Sequence, residues 1–332
     1  VSKAIAAAEL IEDRGEAVVS DDFFRSRPFL EAEGVTHTLR IDIDGGALVA
    51  PLIVRDIDGS NERDAISPYG YPGLVERSRG GVRRSLPAVA PPDTPPTPPT
   101  LDPESIDFSA TGLVTIFIRH TLTDPLLSGA SERNVVQIAD PELPPKSRPS
   151  DRNQINKNLR RGYELQLVPG PETSAAQRAG FLAAYEQTMR RTGAAGRYFF
   201  SAAYFDLILG SPQTWLALAL APDGGEVAAA SIAARSDGYL HYYLSGSVDS
   251  HLRDSPMKNV VASLVELAAA QGLPLNLGGG ISRGDRLEEF KRGFANRELP
   301  WRSSEIVCAA AAYARLSAGR EAGGFFPAYR AS

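Results

Sequence analysis

Cysteine is the scarcest residue of this 332-residue chain, and Cys308 stands alone. A single thiol excludes a disulfide framework and a zinc site built from cysteines. Histidine is nearly as rare: His37, His120, His241 and His251 form neither an HExxH nor an HxH pair. No metal site is expected on that count, and no tightly bound cofactor. No uncharged apolar run reaches the ~18 residues of a membrane span. The opening VSKAIAAAELIEDRGE brings acids too early for a secretory signal, so no membrane insertion and a cytoplasmic setting are expected. Neither GxGxxG nor GxxxxGK[ST] occurs, which disfavours a dinucleotide site and a P-loop.

What is present is an ordinary globular composition, 43% hydrophobic and 23% charged. The net charge of −5 hides an asymmetry. Residues 1–145 carry 13 Lys and Arg against 23 Asp and Glu, net −10, whereas 146–332 carry 22 against 17, net +5. General coating of nucleic acid is excluded, but an anionic substrate held on the C-terminal half is compatible with this balance. Lys146, Arg148, Arg152, Lys157, Arg160 and Arg161 face one acid, Asp151, in sixteen residues. Such a run is either a solvated helix face or a phosphate-binding patch.

Prolines punctuate the chain. The run Pro91-Pro92-Asp93-Thr94-Pro95-Pro96-Thr97-Pro98-Pro99 lacks the backbone donors of a sheet strand and predicts a stiff surface loop over 87–103. A second cluster, Pro141–Pro149, predicts a boundary between domains 1–145 and 146–332. Before it, Thr36–Asp44 and Gly46–Asp56 read as a hairpin, followed by strands at Gly112–Thr121 and Asn134–Ala139. Past it come helices at Asp151–Arg161, capped by Ser150 or Asp151, at Thr173–Arg191 and at Ser201–Leu209. Strands at Trp215–Ala221, Glu226–Arg235 and Tyr239–Ser245 are split by Gly-containing turns. Ser255-Pro256 opens a helix, Leu275–Leu277 is a short strand, Asp285–Gly293 a helix and Glu305–Ala311 a late strand. The fold class is α/β (α+β), with mixed, mostly antiparallel sheets flanked by helices.

Three segments stand out chemically. Gly278-Gly279-Gly280, between a strand and a helix, suits an anion at backbone N–H groups or a plain glycine turn. Ser67-Pro68-Tyr69-Gly70-Tyr71-Pro72-Gly73 holds two phenols on a rigid turn, as a ligand clamp or a surface loop would. His241-Tyr242-Tyr243-Leu244-Ser245 ends a strand, where alternation places Tyr242 with Leu244 on one face and His241 with Tyr243 on the other.

Together, YLHYYLSGS, the Ser-Pro helix start, LGGG and the Asp285–Phe294 stretch DRLEEFKRGF resemble the GNAT-fold acyltransferases of the Fem type. SPYGYPG and YEQTMRRTGAAGRYFFSAAYF are similar to that family's first-domain loop and acceptor-side helices. The resemblance spans about two-thirds of the 332 residues. It implies two GNAT-like domains, an activated acyl donor (aminoacyl-tRNA or acyl-CoA) and an amine acceptor. It also implies that Phe290 and Lys291 lie beside the reacting ester, with Lys291 catalytic. Substrate contacts are implied at Tyr69, Gly70, Tyr71, Arg197, Tyr198, Tyr204, Tyr242, Tyr243, Ser245, Gly278, Gly279 and Gly280. Two departures bear on the donor: no long heptad arm is present, and SGSVDSHLRDSP replaces the Q/RxxGxG/A coenzyme A loop. The expected function is aminoacyl transfer from aminoacyl-tRNA to a small-molecule or peptide amine. The alternatives are acyl transfer from acyl-CoA to a sugar or metabolite amine, and a non-catalytic scaffold recruiting partners through the proline loop.

Overall fold

A computed structural model describes residues 6–78, 81–82, 100–222, 225–320 and 323–331. The chain divides into two compact units, Val1–Arg133 with Trp301–Ser332, and Asn134–Pro300. This differs from the expected break at 145/146. Strand pairing is the reason: Ser303–Val307 hydrogen-bonds antiparallel to Thr115–Arg119, which draws the last residues back to the first unit. Most of the predicted proline loop, residues 87–99, lies outside the described residues.

The first unit begins with β1 (Ala6–Ile11), α1 (Arg27–Ala32), β2 (His37–Ile43), β3 (Gly46–Asp56), β4 (Arg63–Ile66), β5 (Val75–Ser78), β6 (Gly81–Val82), β7 (Ile106–Asp107) and β8 (Leu113–Arg119). The predicted hairpin is present as β2 and β3, closed by Gly45 at φ 84°. Antiparallel β1–β2–β3–β4 pairing continues into a parallel β4–β8 pair. Leu39, Ile41, Leu52, Ile116 and Ile118 are fully buried and form its centre. Each contributes about 1.5–3 kcal/mol relative to an exposed side chain.

From β9 (Ser131–Ala139) the chain enters the second unit: α2 (Pro149–Arg160), β10 (Glu164–Pro169), α3 (Ala175–Arg191), α4 (Ala202–Leu209), β11 (Thr214–Leu220), β12 (Val227–Ser236), β13 (Tyr239–Ser247), α5 (Met257–Ala270), β14 (Leu275–Gly278) and α6 (Arg286–Arg292). Helix α3 opens with a capping box between Ser174 and Gln177. Pro149 occupies the first turn of α2, so the cap falls on Arg148 rather than Ser150 or Asp151. Antiparallel β10–β11–β12–β13 feeds the α5 crossover into β14, parallel to β13. Ala217, Ala219, Ala229 and Ala233 on the sheet face Val260, Val261 and Leu264 of α5. Small residues on one side let larger ones on the other interdigitate without voids.

The chain ends in β15 (Arg297–Val307) and α7 (Ala310–Ser317). The predicted strand over 305–311 starts eight residues earlier than read and stops sooner. Its predicted end falls in Ala309–Ala312, an alanine run that prefers helix. Among the described residues, no helix is long and apolar enough to cross a membrane. No group of three or more His, Cys, Asp or Glu that could hold a metal occurs among them either.

Candidate functional site

A bulge in β13 organises the site. Ile232 pairs with Leu244 and Ala233 with Tyr242, so Tyr243 is an extra residue between two regular stretches. Simple alternation would put Tyr242 and Ser245 on opposite faces. The bulge re-phases the strand and puts them together: the Tyr242 hydroxyl donates to Ser245 Oγ at 2.6 Å. The predicted pairing of Tyr242 with Leu244 on one face is thereby corrected. Burial pushes the Tyr242 hydroxyl up to about 12, so it stays a neutral donor.

Lys291 of α6 reaches the same face. Its side chain is 8% exposed, and its ammonium donates to Gly279 O at 2.7 Å and sits 5.9 Å from the Tyr242 ring centre. Burial pulls its pKa down to about 8, against a smaller upward pull from Asp285. Gly278, at φ 75°, leaves room for that ammonium: a Cβ there would stand 3.1 Å from Nζ. Phe290 packs edge-on against Phe294, with centroids 5.7 Å apart, and pins the helix to the α5 core.

The loop from Gly278 to Asp285 is held by side chains the sequence did not flag. Asn134 Nδ2 donates to Gly280 O at 2.9 Å, and Asn276 Oδ1 accepts from Gly278 N at 2.8 Å. Polar strand residues next to a glycine cluster were the only available signal. Asp285 caps α6: Oδ1 accepts from Glu288 N at 2.8 Å, while Oδ2 accepts from Ile281 N and Ser282 N. The backbone N–H of Glu288 foremost holds its carboxyl below the usual range. Asp285→Ala is expected to lower stability by about 1–2 kcal/mol, read as a reduced midpoint in urea unfolding. An unchanged midpoint would contradict this capping role.

The other predicted residues lie elsewhere. On the α3 and α4 side of β13, Tyr243 and Tyr204 share a hydroxyl–hydroxyl bond of 2.8 Å, and Phe200 stacks on Tyr204 at 4.1 Å. Arg197 lies over the Tyr198 ring at 5.1 Å, and the Tyr185 hydroxyl donates to Tyr198 O at 2.8 Å. Tyr69, Gly70 and Tyr71 belong to the first unit. Tyr69 N donates to Glu33 Oε2 at 2.9 Å, and Tyr71 packs edge-on against Phe24 and Trp301. Gly70, at φ 101°, lies against the Phe24 ring, which a Cβ would meet at 2.4 Å. Within the basic segment, Arg148 reaches Glu289 of α6 at 3.7 Å, Arg161 pairs with Asp254, and Lys146, Lys157 and Arg160 are exposed.

Residues 146–292 match the family model described as an acetyltransferase (GNAT) domain. The crystal structure of FemX is similar across 90% of this chain and 95% of that one, with a TM-score of 0.59 and 11% identity. The C-terminal domain of a putative lysylphosphatidylglycerol synthetase from Agrobacterium fabrum is similar over 90% of this chain and 92% of that one. Its TM-score is 0.54 at 12% identity. A sequence search of the curated proteins finds no match. The matched segment defines an acetyltransferase-type GNAT domain over residues 146–292, on a fold shared with both solved structures.

Proposed function

We propose that this acyltransferase moves an aminoacyl group from aminoacyl-tRNA onto an amine of a small molecule or peptide precursor. The observation that carries the reading is Lys291: a buried ammonium fixed on a glycine loop, with N–H groups beyond the one spent on Gly279 O. In ester aminolysis the amine lone pair forms the C–N bond, and the carbonyl electrons move to oxygen. The C–O bond then breaks, and the proton leaves with the ribose hydroxyl. A fixed donor at the developing oxyanion contributes about 3 kcal/mol. Lys291 fills that role, with Phe290 beside it. Tyr242, Ser245 and Gly278–Gly280 line the same face, and Tyr243, Tyr204, Arg197 and Tyr198 contact the acceptor. Tyr69, Gly70 and Tyr71, on the first unit, are proposed as substrate contacts of their own. Asp285 already accepts three backbone N–H groups, which argues against it as the general base. The exposed cations Lys146, Lys157 and Arg160 support a polyanionic donor. Such a donor implies a cytoplasmic setting.

The second reading, acyl transfer from acyl-CoA, is favoured by the acetyltransferase description of the matching domain family. Charged tRNA and acetyl-CoA, run in parallel against a panel of primary amines, separate the two. The expected result is an amide product with charged tRNA that disappears when the donor is first digested with RNase. Product that survives RNase rules out the tRNA donor, thiol release with acetyl-CoA establishes the second reading, and silence with both donors overturns each.

A further inference from the structure

Gln137 is a buried polar side chain that the chemistry above does not use. It lies on β9, fully buried, with Gly278 as its partner across the strand pair. Ala139, two residues along and so on the same face, belongs to the α5 core. The Gln137 amide nitrogen donates to Glu298 Oε1 at 3.0 Å. A carboxylate only accepts, so this bond fixes which end of the amide is which. The oxygen therefore points away from Glu298, and among the described residues it has no hydrogen-bond partner.

The surroundings say what such an acceptor is for. Arg292 of α6 reaches Glu298 at 3.4 Å, which places the Gln137–Glu298 pair under the helix that carries Lys291. Gly278, the cross-strand partner of Gln137, is the residue whose missing Cβ makes room for Lys291 Nζ. An acceptor without a donor and an ammonium with N–H groups to give thus share one side of one sheet. A buried polar atom left unsatisfied in a folded protein calls for a reason, and a catalytic role is one of the few available.

We infer that Gln137 Oε1 accepts the N–H of the attacking amine, while Lys291 donates to the carbonyl oxygen under attack. This rests on the acyl-transfer role proposed for Lys291. When the amine lone pair closes the C–N bond, the nitrogen becomes cationic and its N–H bonds strengthen as donors. Gln137 takes one of them and so aims the lone pair at the carbonyl carbon. The other N–H proton departs with the leaving oxygen or sulfur as its bond to carbon breaks. An amide oxygen is too weak a base to remove a proton, so Gln137 orients the amine and disperses its charge. A carboxylate at the same place would instead pair with the Lys291 ammonium and withdraw it from the oxyanion.

Gln137→Met in the full chain keeps the side-chain volume and removes the acceptor; Gln137→Leu repeats the removal with a different shape. With the donor that supports turnover held saturating and n-butylamine varied, kcat/KM for the amine is expected to fall about tenfold or more. Donor KM should stay within twofold, the alkaline limb of the pH profile should not move, and the melting temperature should hold or rise. An amine kcat/KM within twofold of wild type overturns the inference, because the oxygen then serves only a bound water. Parallel losses in donor KM and kcat overturn it in favour of a structural role, and a displaced alkaline limb overturns it in favour of contact with Lys291 itself. Lys291→Met separates the two levels. If that variant stays active, the reading of Lys291 fails; if it is dead while both Gln137 variants behave as wild type, only the role of Gln137 fails.

Discussion

Lys291→Met is expected to abolish acyl transfer and to raise the melting temperature of the protein at neutral pH. Loss of the donor at the oxyanion predicts a fall of about 10²–10³ in kcat. The gain in stability follows from desolvation. Burial holds the ammonium at a pKa of about 8 against an ordinary 10.5. Below pH 8 the group is charged in both folded and unfolded chains, and keeping it charged while buried costs about 3 kcal/mol. Methionine fills a similar volume without charge, and loses in return the bond to Gly279 O, worth about 1 kcal/mol. The net gain is about 2 kcal/mol. The sign of the pH dependence follows directly. The folded pKa lies below the unfolded one, so the penalty is fully present below about 8 and fades between about 8 and 10.5. The stability difference between variant and wild type should close over that interval. Wild-type activity runs the other way, falling as pH rises past about 8 and the ammonium loses its proton. Calorimetry and pH–rate profiles on both proteins check the pair of effects. A less stable variant with normal turnover would contradict both the catalytic role of Lys291 and the desolvation cost of its ammonium.

Gly246→Ala is expected to lose about 3 kcal/mol or more, through a contact that no side chain can yield. A Cβ at Gly246 would stand 2.4 Å from Ala184 C, Ala184 O and Tyr185 N, the backbone of α3. Flexible neighbours rotate away from an added methyl, but a helix backbone can only translate as a body. The translation would break the bonds that seat α3 on β13, including Thr188 Oγ1 accepting from Ser247 N at 2.9 Å. It would also disturb the packing of Phe181 and Tyr185, both buried in α3. Overpacking of this kind lies at or above the upper end of the usual 1–3 kcal/mol range. Urea unfolding measures the loss, and amide exchange should show α3 opening first. A midpoint shift below about 0.5 kcal/mol would mean the helix can sit further from the sheet than described.

Much of the second unit was legible because its elements announce themselves locally. The helices read at Thr173–Arg191, Ser201–Leu209 and Asp285–Gly293 begin within two residues of the observed starts, where Ser174, Ser201 and Asp285 cap them. The β12–β13 turn at Asp237-Gly238 has both residues at positive φ, as that dipeptide predicts. The bulge at Tyr243 was not legible, since an inserted residue looks like any other until its partner strand is known. Alternation therefore gave the right strand and the wrong face for Leu244 relative to Tyr242. Strand β10 was missed because Glu164, Leu165, Gln166 and Leu167 are mostly exposed and carry no β-branched signal. Gln137 and Asn134 were invisible as site residues for a related reason. A polar side chain in a strand acquires meaning only from what the fold places against it.

The route of the chain also constrains how the protein can be taken apart. Asn134–Pro300 is one continuous stretch, whereas its counterpart is assembled from Val1–Arg133 and Trp301–Ser332. In genetic terms the GNAT-matched segment is nested inside another coding block. A fragment ending at residue 133 would leave β8 with an open edge where Ser303–Val307 belongs, a template for aggregation. A recombinant fragment of that unit would therefore need residues 301–332 rejoined to it by a linker, and the two boundaries fall inside β9 and β15, so a cut at either one severs a strand.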